Sequence, residues 1–246
     1  MKNISKTKKA RIKSMKKTIK QILYFSLALF VQMIFLKFCH FCFEFTQEYI
    51  VAPNGNIIEH FYMFLFAFII TLIIGKYKKI DFGYHLVGFK VALIYTLIIA
   101  GIWLPFSFID AIFGIKQAIN IDFLWMIFFQ FFFSGLGEEI IFRSIPMKFF
   151  DAFANGKDII VRIKEFNIDL SMIMSSLLFM IGHISFYSNQ VWYAFIYSMM
   201  FAFFGGLMYS WIYRKTNSIW LCMLAHGVAN VTIFVFPVIS EIVFGT

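Results

Sequence analysis

Charge is what this sequence has least of. Asp, Glu, Lys and Arg make up 14% of its 246 residues, against about 25% in soluble domains. With 61% hydrophobic residues and a mean hydropathy of +0.80, a water-soluble globule is excluded. The expectation is an all-α, polytopic bundle of transmembrane helices. No polar stretch after residue 20 exceeds roughly 25 residues, too short for an independent core, so a separate soluble domain is also excluded. Cysteine is scarce: Cys39-His40-Phe41-Cys42 is a C-x-x-C with no second pair to complete a zinc site. These two and Cys222 read as small packing residues. Acid is absent from the first 20 residues, which hold nine Lys and Arg.

Apolar segments of spanning length fall at about 20–42, 57–75, 86–104, 122–142, 169–187, 190–213 and 218–237. Seven spans are expected. Val238 to Phe244, after Pro237, either extends the last helix through a kink or forms an interfacial tail, and eight spans are the alternative. Threading the seven spans puts 19 of the 22 basic residues on one side of the bilayer. That side is the cytosolic one by the positive-inside rule. Glu44, Glu48, Glu59 and Asp110 fall on the outer side with Lys116 as its lone base. The net charge of +9 is then a topology signal and a contact with anionic lipid headgroups. Nucleic acid is not an expected partner, since the basic run has no interleaved aromatics and leads directly into a span. A cleaved signal peptide is not expected either, because the following apolar run is too long and lacks a small-residue cleavage site.

Against this background two adjacent acids stand out in Ser134-Gly135-Leu136-Gly137-Glu138-Glu139-Ile140-Ile141-Phe142-Arg143. A charged side chain at the bilayer centre costs roughly 2.5–3.5 kcal/mol on insertion scales, so intramembrane acids mark functional sites. On a helix, neighbours 100° apart cannot face the same way. Glu139 and Arg143 form an i,i+4 pair in the favourable order, which leaves Glu138 as the freer carboxylate and the candidate general base. The bland alternative is a helix-pairing ion network alone. A turn near residue 160, between helices extended beyond the membrane face by the amphipathic stretch 148–167, would bring Glu138 level with His183. Gly182 beside that histidine permits close helix approach. In the last span His226 and Asn230 share one face, flanked by Ala225, Gly227 and Ala229. Singly, each of these reads as a satisfied core residue or interhelical glue; three such sites on three spans can converge. His40, His60 and His85 lie near span ends or loops and are assigned to water or headgroups. Gly205-Gly206 reads as a close-packing site against the last helix.

A carboxylate and an imidazole can hold and deprotonate water, while a second imidazole and an amide can donate to a developing oxyanion. Glu138, His183 and His226 also match the ligands of a catalytic zinc with an open position, although the H-E-x-x-H signature is absent. Glu138 to Arg143 matches E-E-x-x-x-R, Phe179 to His183 matches F-x-x-x-H, and His226 to Asn230 matches H-x-x-x-N. In this order, on separate spans, the motifs resemble those of the CPBP intramembrane proteases, also called CAAX proteases or the Abi family. The resemblance covers roughly residues 122–236.

What the resemblance implies is an intramembrane endopeptidase acting on a membrane-associated protein or peptide. Glu138 and His183 would activate water, and His226 and Asn230 would stabilise the oxyanion. Glu139 and Arg143 complete the set of site residues. Family members are described both as metalloproteases and as metal-independent glutamate enzymes. Asn230 beside His226 suits an oxyanion donor better than a ligand, so no cofactor is expected and zinc is the alternative. The family also includes prenyl-protein processing enzymes, pheromone-maturation enzymes and bacteriocin-immunity proteins. The Lys-, Ile- and Phe-rich composition suggests a bacterial plasma membrane. The chain then divides into a basic cytosolic segment 1–20, N-terminal transmembrane helices 21–121 and a catalytic core 122–246.

Two other classes compete. One is a catalytically idle immunity or regulatory scaffold, which intact motifs disfavour. The other is a proton-coupled transporter; those carry repeats and broken helices, whereas this sequence has no internal repeat and no mid-span proline in its first six spans. The charge distribution yields a direct test. Cysteines introduced singly at Lys9 and Lys157 should resist a membrane-impermeant thiol reagent in intact cells and react after permeabilisation. Labelling of either from outside would overturn the topology.

Overall fold

The computed structural model describes residues 2–49, 55–112, 121–164 and 166–244. The molecule is a helical membrane protein whose apolar segments all become helix. They comprise α1 (Lys2–Thr46), α2 (Gly55–Lys78), α3 (Phe89–Ile112), a segmented rod over 121–153, α7 (Leu170–Gly182), α9 (Trp192–Thr216) and α10 (Ile219–Phe244). By length and composition four helices among the described residues can cross a membrane: Arg11–Thr46, Ile57–Lys78, Phe123–Phe153 and Trp192–Thr216. The basic segment from Lys2 onward is helical and continuous with the first apolar segment in α1. Pro237 does not end α10, which continues to Phe244. The outer base Lys116 lies outside the described residues.

The rod changes its winding twice. It runs through α4 (Ile121–Phe128), a π-helical segment (Phe129–Ser134), α5 (Gly135–Glu139), a second π-helical segment (Ile140–Ser144) and α6 (Ile145–Phe153). π-turns recur at functional sites, and here they bracket the five residues that end in the two glutamates. Gly135 and Gly137 make that stretch approachable from two sides. A Cβ on Gly135 would lie 2.6 Å from the Met223 carbonyl oxygen of α10, and one on Gly137 would lie 2.8 Å from the His60 carbonyl oxygen of α2. Neither helix could sit where it does against any larger residue.

Three expectations are corrected. The stretch 148–167 does not prolong the helices: α6 stops at Phe153, and β1 (Ile159–Ile163) pairs antiparallel with β2 (Phe166–Asp169). Asn155 takes a left-handed conformation (φ 55°), which ends the helix, and the β-branched run Ile159-Ile160-Val161 favours a strand. The segment read as a span over 169–187 is helical in α7 only to Gly182, followed by the single turn α8 (Ile184–Tyr187). Gly205 and Gly206 do not face α10. Gly206 packs on Ser176 and Phe179 of α7, and Gly205 on Trp103 of α3.

One end of the bundle is tied by polar contacts. Arg214 of α9 reaches Asp151 of α6 through two hydrogen bonds of 2.6 and 2.8 Å and Asp169 at 2.7 Å, and it also donates to Ser171. Asp169 caps α7 by accepting from the Met172 backbone N–H at 2.9 Å. Nearby, the α2–α3 connection is pinned by Ser144 Oγ to the Phe82 carbonyl at 2.7 Å and by Asn217 Nδ2 to Asp81 at 2.5 Å. The Gly83 backbone N–H, donating to Asp81, holds that carboxyl below its ordinary range.

This end separates strong from weak ion pairs. Arg214→Met should lower stability by about 1.5–3 kcal/mol, the value of hydrogen bonds to charged groups. Lys17→Met should change it by less than about 1 kcal/mol, because the Lys17–Asp158 pair is half exposed and exposed pairs contribute little. Thermal unfolding in detergent micelles compares the two; equal losses would contradict the ranking.

Candidate active site

The two glutamates point to different helices. Glu139 Oε1 accepts from His226 Nδ1 of α10 at 2.9 Å, and its Oε2 lies 3.4 Å from Arg143 Nε. Glu139 and Arg143 are both completely buried. The expected i,i+4 pair therefore forms, and it does so across a π-turn whose wider winding stacks residues four apart more directly. Arg143 also donates to the Phe142 carbonyl at 3.1 Å. Its guanidinium lies 4.2 Å from the centre of the Phe179 ring and 5.6 Å from that of Tyr209, a cation–π environment suited to a desolvated cation. His226 is sandwiched in turn, stacked on Tyr209 at 4.8 Å and edge-on to Phe179 at 5.8 Å.

Glu138 faces the opposite way, toward α2 and α7. Its Oε1 is 3.2 Å from His60 Nε2, and its Oε2 is 3.8 Å from His183 Nε2. Among the described residues Oε2 accepts no hydrogen bond. His183 occupies the residue that ends α7, and its Nδ1 lies 2.8 Å from the Phe179 carbonyl oxygen. A carbonyl can only accept, so Nδ1 carries a proton, and the ring turns Nε2 toward Glu138. The remaining member, Asn230, donates from Nδ2 to Gln130 Oε1 at 2.8 Å and to Ser134 Oγ at 3.0 Å.

Glu138, Glu139, Arg143, His183, His226 and Asn230 thus all lie on or against one stretch of the rod. Three further residues join them that the sequence did not suggest. Gln130 and Ser134 position the Asn230 amide. His60, assigned from sequence to water or headgroups, instead reaches inward to Glu138. Its signal was faint but present, since Met63, Ala67 and Thr71, on the same face of α2 as His60, are all buried. His40 and His85 stay peripheral: His40 pairs with Glu59 and Glu44, and His85 bonds the Thr216 carbonyl.

Residues 120–232 match the family model of the type II CAAX prenyl endopeptidase, Rce1-like, proteins. This segment, just under half of the chain, resembles a CAAX protease domain. The matched segment holds both glutamates, Arg143, His183, His226 and Asn230, and excludes His60. No curated protein and no solved structure matches the chain. A protease family of this kind implies a peptide or protein substrate and a membrane setting.

The zinc alternative would draw on Glu138, His183 and His226. His226 gives Nδ1 to Glu139, which leaves Nε2 as its remaining ring nitrogen. Among the described residues no three His, Cys, Asp or Glu side chains group closely enough to hold a metal ion.

The contrast between the two acids is measurable without substrate. Glu139→Gln leaves Arg143 buried without its counter-charge and should cost about 3–5 kcal/mol, as when one partner of a buried pair is removed. Glu138→Gln, whose neighbours are imidazoles able to stay neutral, should fold nearly as well as the parent. A Glu138→Gln protein that melts as early as Glu139→Gln would contradict this division.

Proposed function

We propose that the domain is an active, metal-independent intramembrane endopeptidase in which Glu138 and His183 hold the attacking water. One observation carries this reading. A carboxylate oxygen and an imidazole lone pair, both acceptors, face each other at 3.8 Å, too far for a direct hydrogen bond. A water molecule placed at the apex of that gap donates one proton to each acceptor and turns its own lone pair outward. That is the orientation a nucleophilic water needs.

The chemistry then follows in order. The water oxygen attacks the scissile carbonyl carbon as Glu138 Oε2 takes its proton. Negative charge gathers on the former carbonyl oxygen. His226 serves it: Glu139 accepts the Nδ1–H, so the protonated ring presents Nε2–H to the oxyanion, and the imidazolium is stabilised by the carboxylate behind it. Asn230 completes this side of the site, and an oxyanion competes with Gln130 and Ser134 for its amide hydrogens. When the C–N bond breaks, Glu138 returns the proton to the leaving amine. Arg143 acts through Glu139 by fixing its second oxygen.

For substrate, the family's description points to a protein ending in C-a-a-X. The composition of this chain favours an unprenylated apolar segment. Two quenched fluorescent peptides separate these, one with a farnesylated cysteine in a C-terminal C-a-a-X and one of apolar sequence without a lipid. The basic run at the start of the sequence and the polar end of the bundle support a reading in which that end of the domain faces the cytosol of a bacterial cell.

In liposomes, Glu138→Gln should abolish cleavage of the preferred peptide, and Asn230→Ala should reduce turnover by about 10²–10³, the usual loss for one oxyanion donor. Activity should survive prolonged chelation. Near-normal cleavage by Glu138→Gln would remove the proposed base. Stoichiometric zinc lost and regained together with activity would sink the metal-free mechanism. Failure of the wild-type protein to cut either peptide or a proteome-derived library would leave the immunity-scaffold reading in its place.

A further inference from the structure

We infer that His60 of α2 is a positioning residue for the general base, holding one oxygen of Glu138 so that the other faces His183. The inference rests on the protease reading above and extends it to a part of the chain outside the matched segment 120–232. Three features carry it. First, the geometry is asymmetric: His60 Nε2 lies 3.2 Å from Glu138 Oε1, within hydrogen-bonding range, whereas His183 Nε2 lies 3.8 Å from Oε2. An ionised carboxylate only accepts, so the proton of this bond sits on His60 Nε2. The two imidazoles thus meet one carboxylate in opposite roles, His60 as donor and His183 as acceptor of a shared water's proton.

Second, the place for His60 is built rather than incidental. Gly137, directly before the base, is the residue that admits the α2 backbone, since a Cβ there would come within 3.0 Å of the His60 Cβ and 2.8 Å of its carbonyl oxygen. The ring then stands edge-on to Phe129 at 4.9 Å, which fixes its plane. Third, a glutamate side chain has three rotatable bonds and two equivalent oxygens. Without a fixed donor on one of them, the gap to His183 would not keep the width that a bridging water requires. A charge-assisted hydrogen bond supplies that constraint, being about twice as strong as a neutral one.

A merely structural role and a positioning role give different outcomes. Three variants are compared with the parent and with Glu138→Gln: His60→Ala, His60→Phe and His60→Gln. The probe is whichever of the two quenched peptides the parent cleaves. Phenylalanine keeps the packing against Phe129 and lacks the donor. Glutamine offers an amide N–H near the position of Nε2. His60→Ala and His60→Phe should lose about 10- to 100-fold in kcat, the scale of a displaced reacting group, with KM changed less than threefold. His60→Gln should recover most of that loss. Thermal unfolding should rank the variants differently, with His60→Phe close to the parent.

Parent-like kcat in His60→Phe would overturn the inference, and so would His60→Gln no faster than His60→Phe. An independent readout needs no turnover. Long-range proton–nitrogen spectra of protein carrying labelled histidine should show His60 as the Nε2–H tautomer and His183 as the Nδ1–H tautomer. Glu138→Gln should shift the His60 signals. A His60 found as the Nδ1–H tautomer overturns the inference whatever the activity. If the parent cleaves neither peptide, the protease reading fails while the spectra still decide whether His60 donates to Glu138.

Discussion

The ion pair between Glu139 and Arg143, wholly removed from solvent, is the constraint around which this bundle is arranged. A lone carboxylate or guanidinium in an apolar interior costs several kcal/mol, so neither could be tolerated without the other at the right height. Every neighbour answers that demand. The π-turn over Ile140–Ser144 stacks the two residues, and α10 brings His226 to the remaining carboxylate oxygen. Phe179 and Tyr209 turn ring faces to the guanidinium. Because these partners come from the rod, α7, α9 and α10, satisfying one charge fixes the register of four helices at once. A slip of any helix by one turn would strand a charge, which is a far steeper penalty than a mispacked methyl group.

That fixed register explains how two adjacent, chemically identical acids acquire different tasks. Glu139 is consumed by structure, with Arg143 on one oxygen and His226 on the other. Glu138, 100° around the helix, meets imidazoles that can remain neutral. Both acids keep Oε2 without a hydrogen bond among the described residues, but that of Glu139 faces Arg143 whereas that of Glu138 faces His183. The order cannot be reversed, since only Glu139 stands four residues before Arg143. Environment alone separates the anchor from the proposed base, since one acid faces a guanidinium and the other faces imidazoles.

Much of this was legible in the sequence, and the reasons differ by residue. The i,i+4 relation of Glu139 to Arg143 and of His226 to Asn230 is local, so helical periodicity sufficed to place each pair on one face. The convergence of three motifs followed from counting spans. His60 was not legible in that way. Its partner is 78 residues distant, and its nearness to the start of α2 suggested an interface position. Ala67 and Thr71, a small and a polar residue on the same face of α2 as His60, were the available clue to an inward face. The β-hairpin was missed because alternating residues over a short polar stretch satisfy an amphipathic helix almost as well as a strand. The partner of Gly205-Gly206 was missed because a small-residue face says that a helix packs closely without saying which neighbour it meets.

The shortness of α7 links the fold to the depth of the site. Its 13 residues span about 20 Å at 1.5 Å per residue, less than the roughly 30 Å of a hydrocarbon core. Starting from the polar end of the bundle, where Asp169 caps it, α7 is shorter than the width of such a slab. Glu138 lies 13 residues from Asp151 along the rod, again about 20 Å, so the base and the end of α7 reach the same depth. A helix that ends within the membrane leaves carbonyls unpaired, and non-helical backbone at that depth is tolerated only inside protein or beside a polar cavity. His183 resolves this by turning its own Nδ1–H back onto the Phe179 carbonyl. The hydrogen bond that closes the truncated helix is thus the same one that sets the tautomer and aims Nε2 at Glu138. Where the helix stops and what the imidazole can do are consequences of a single contact.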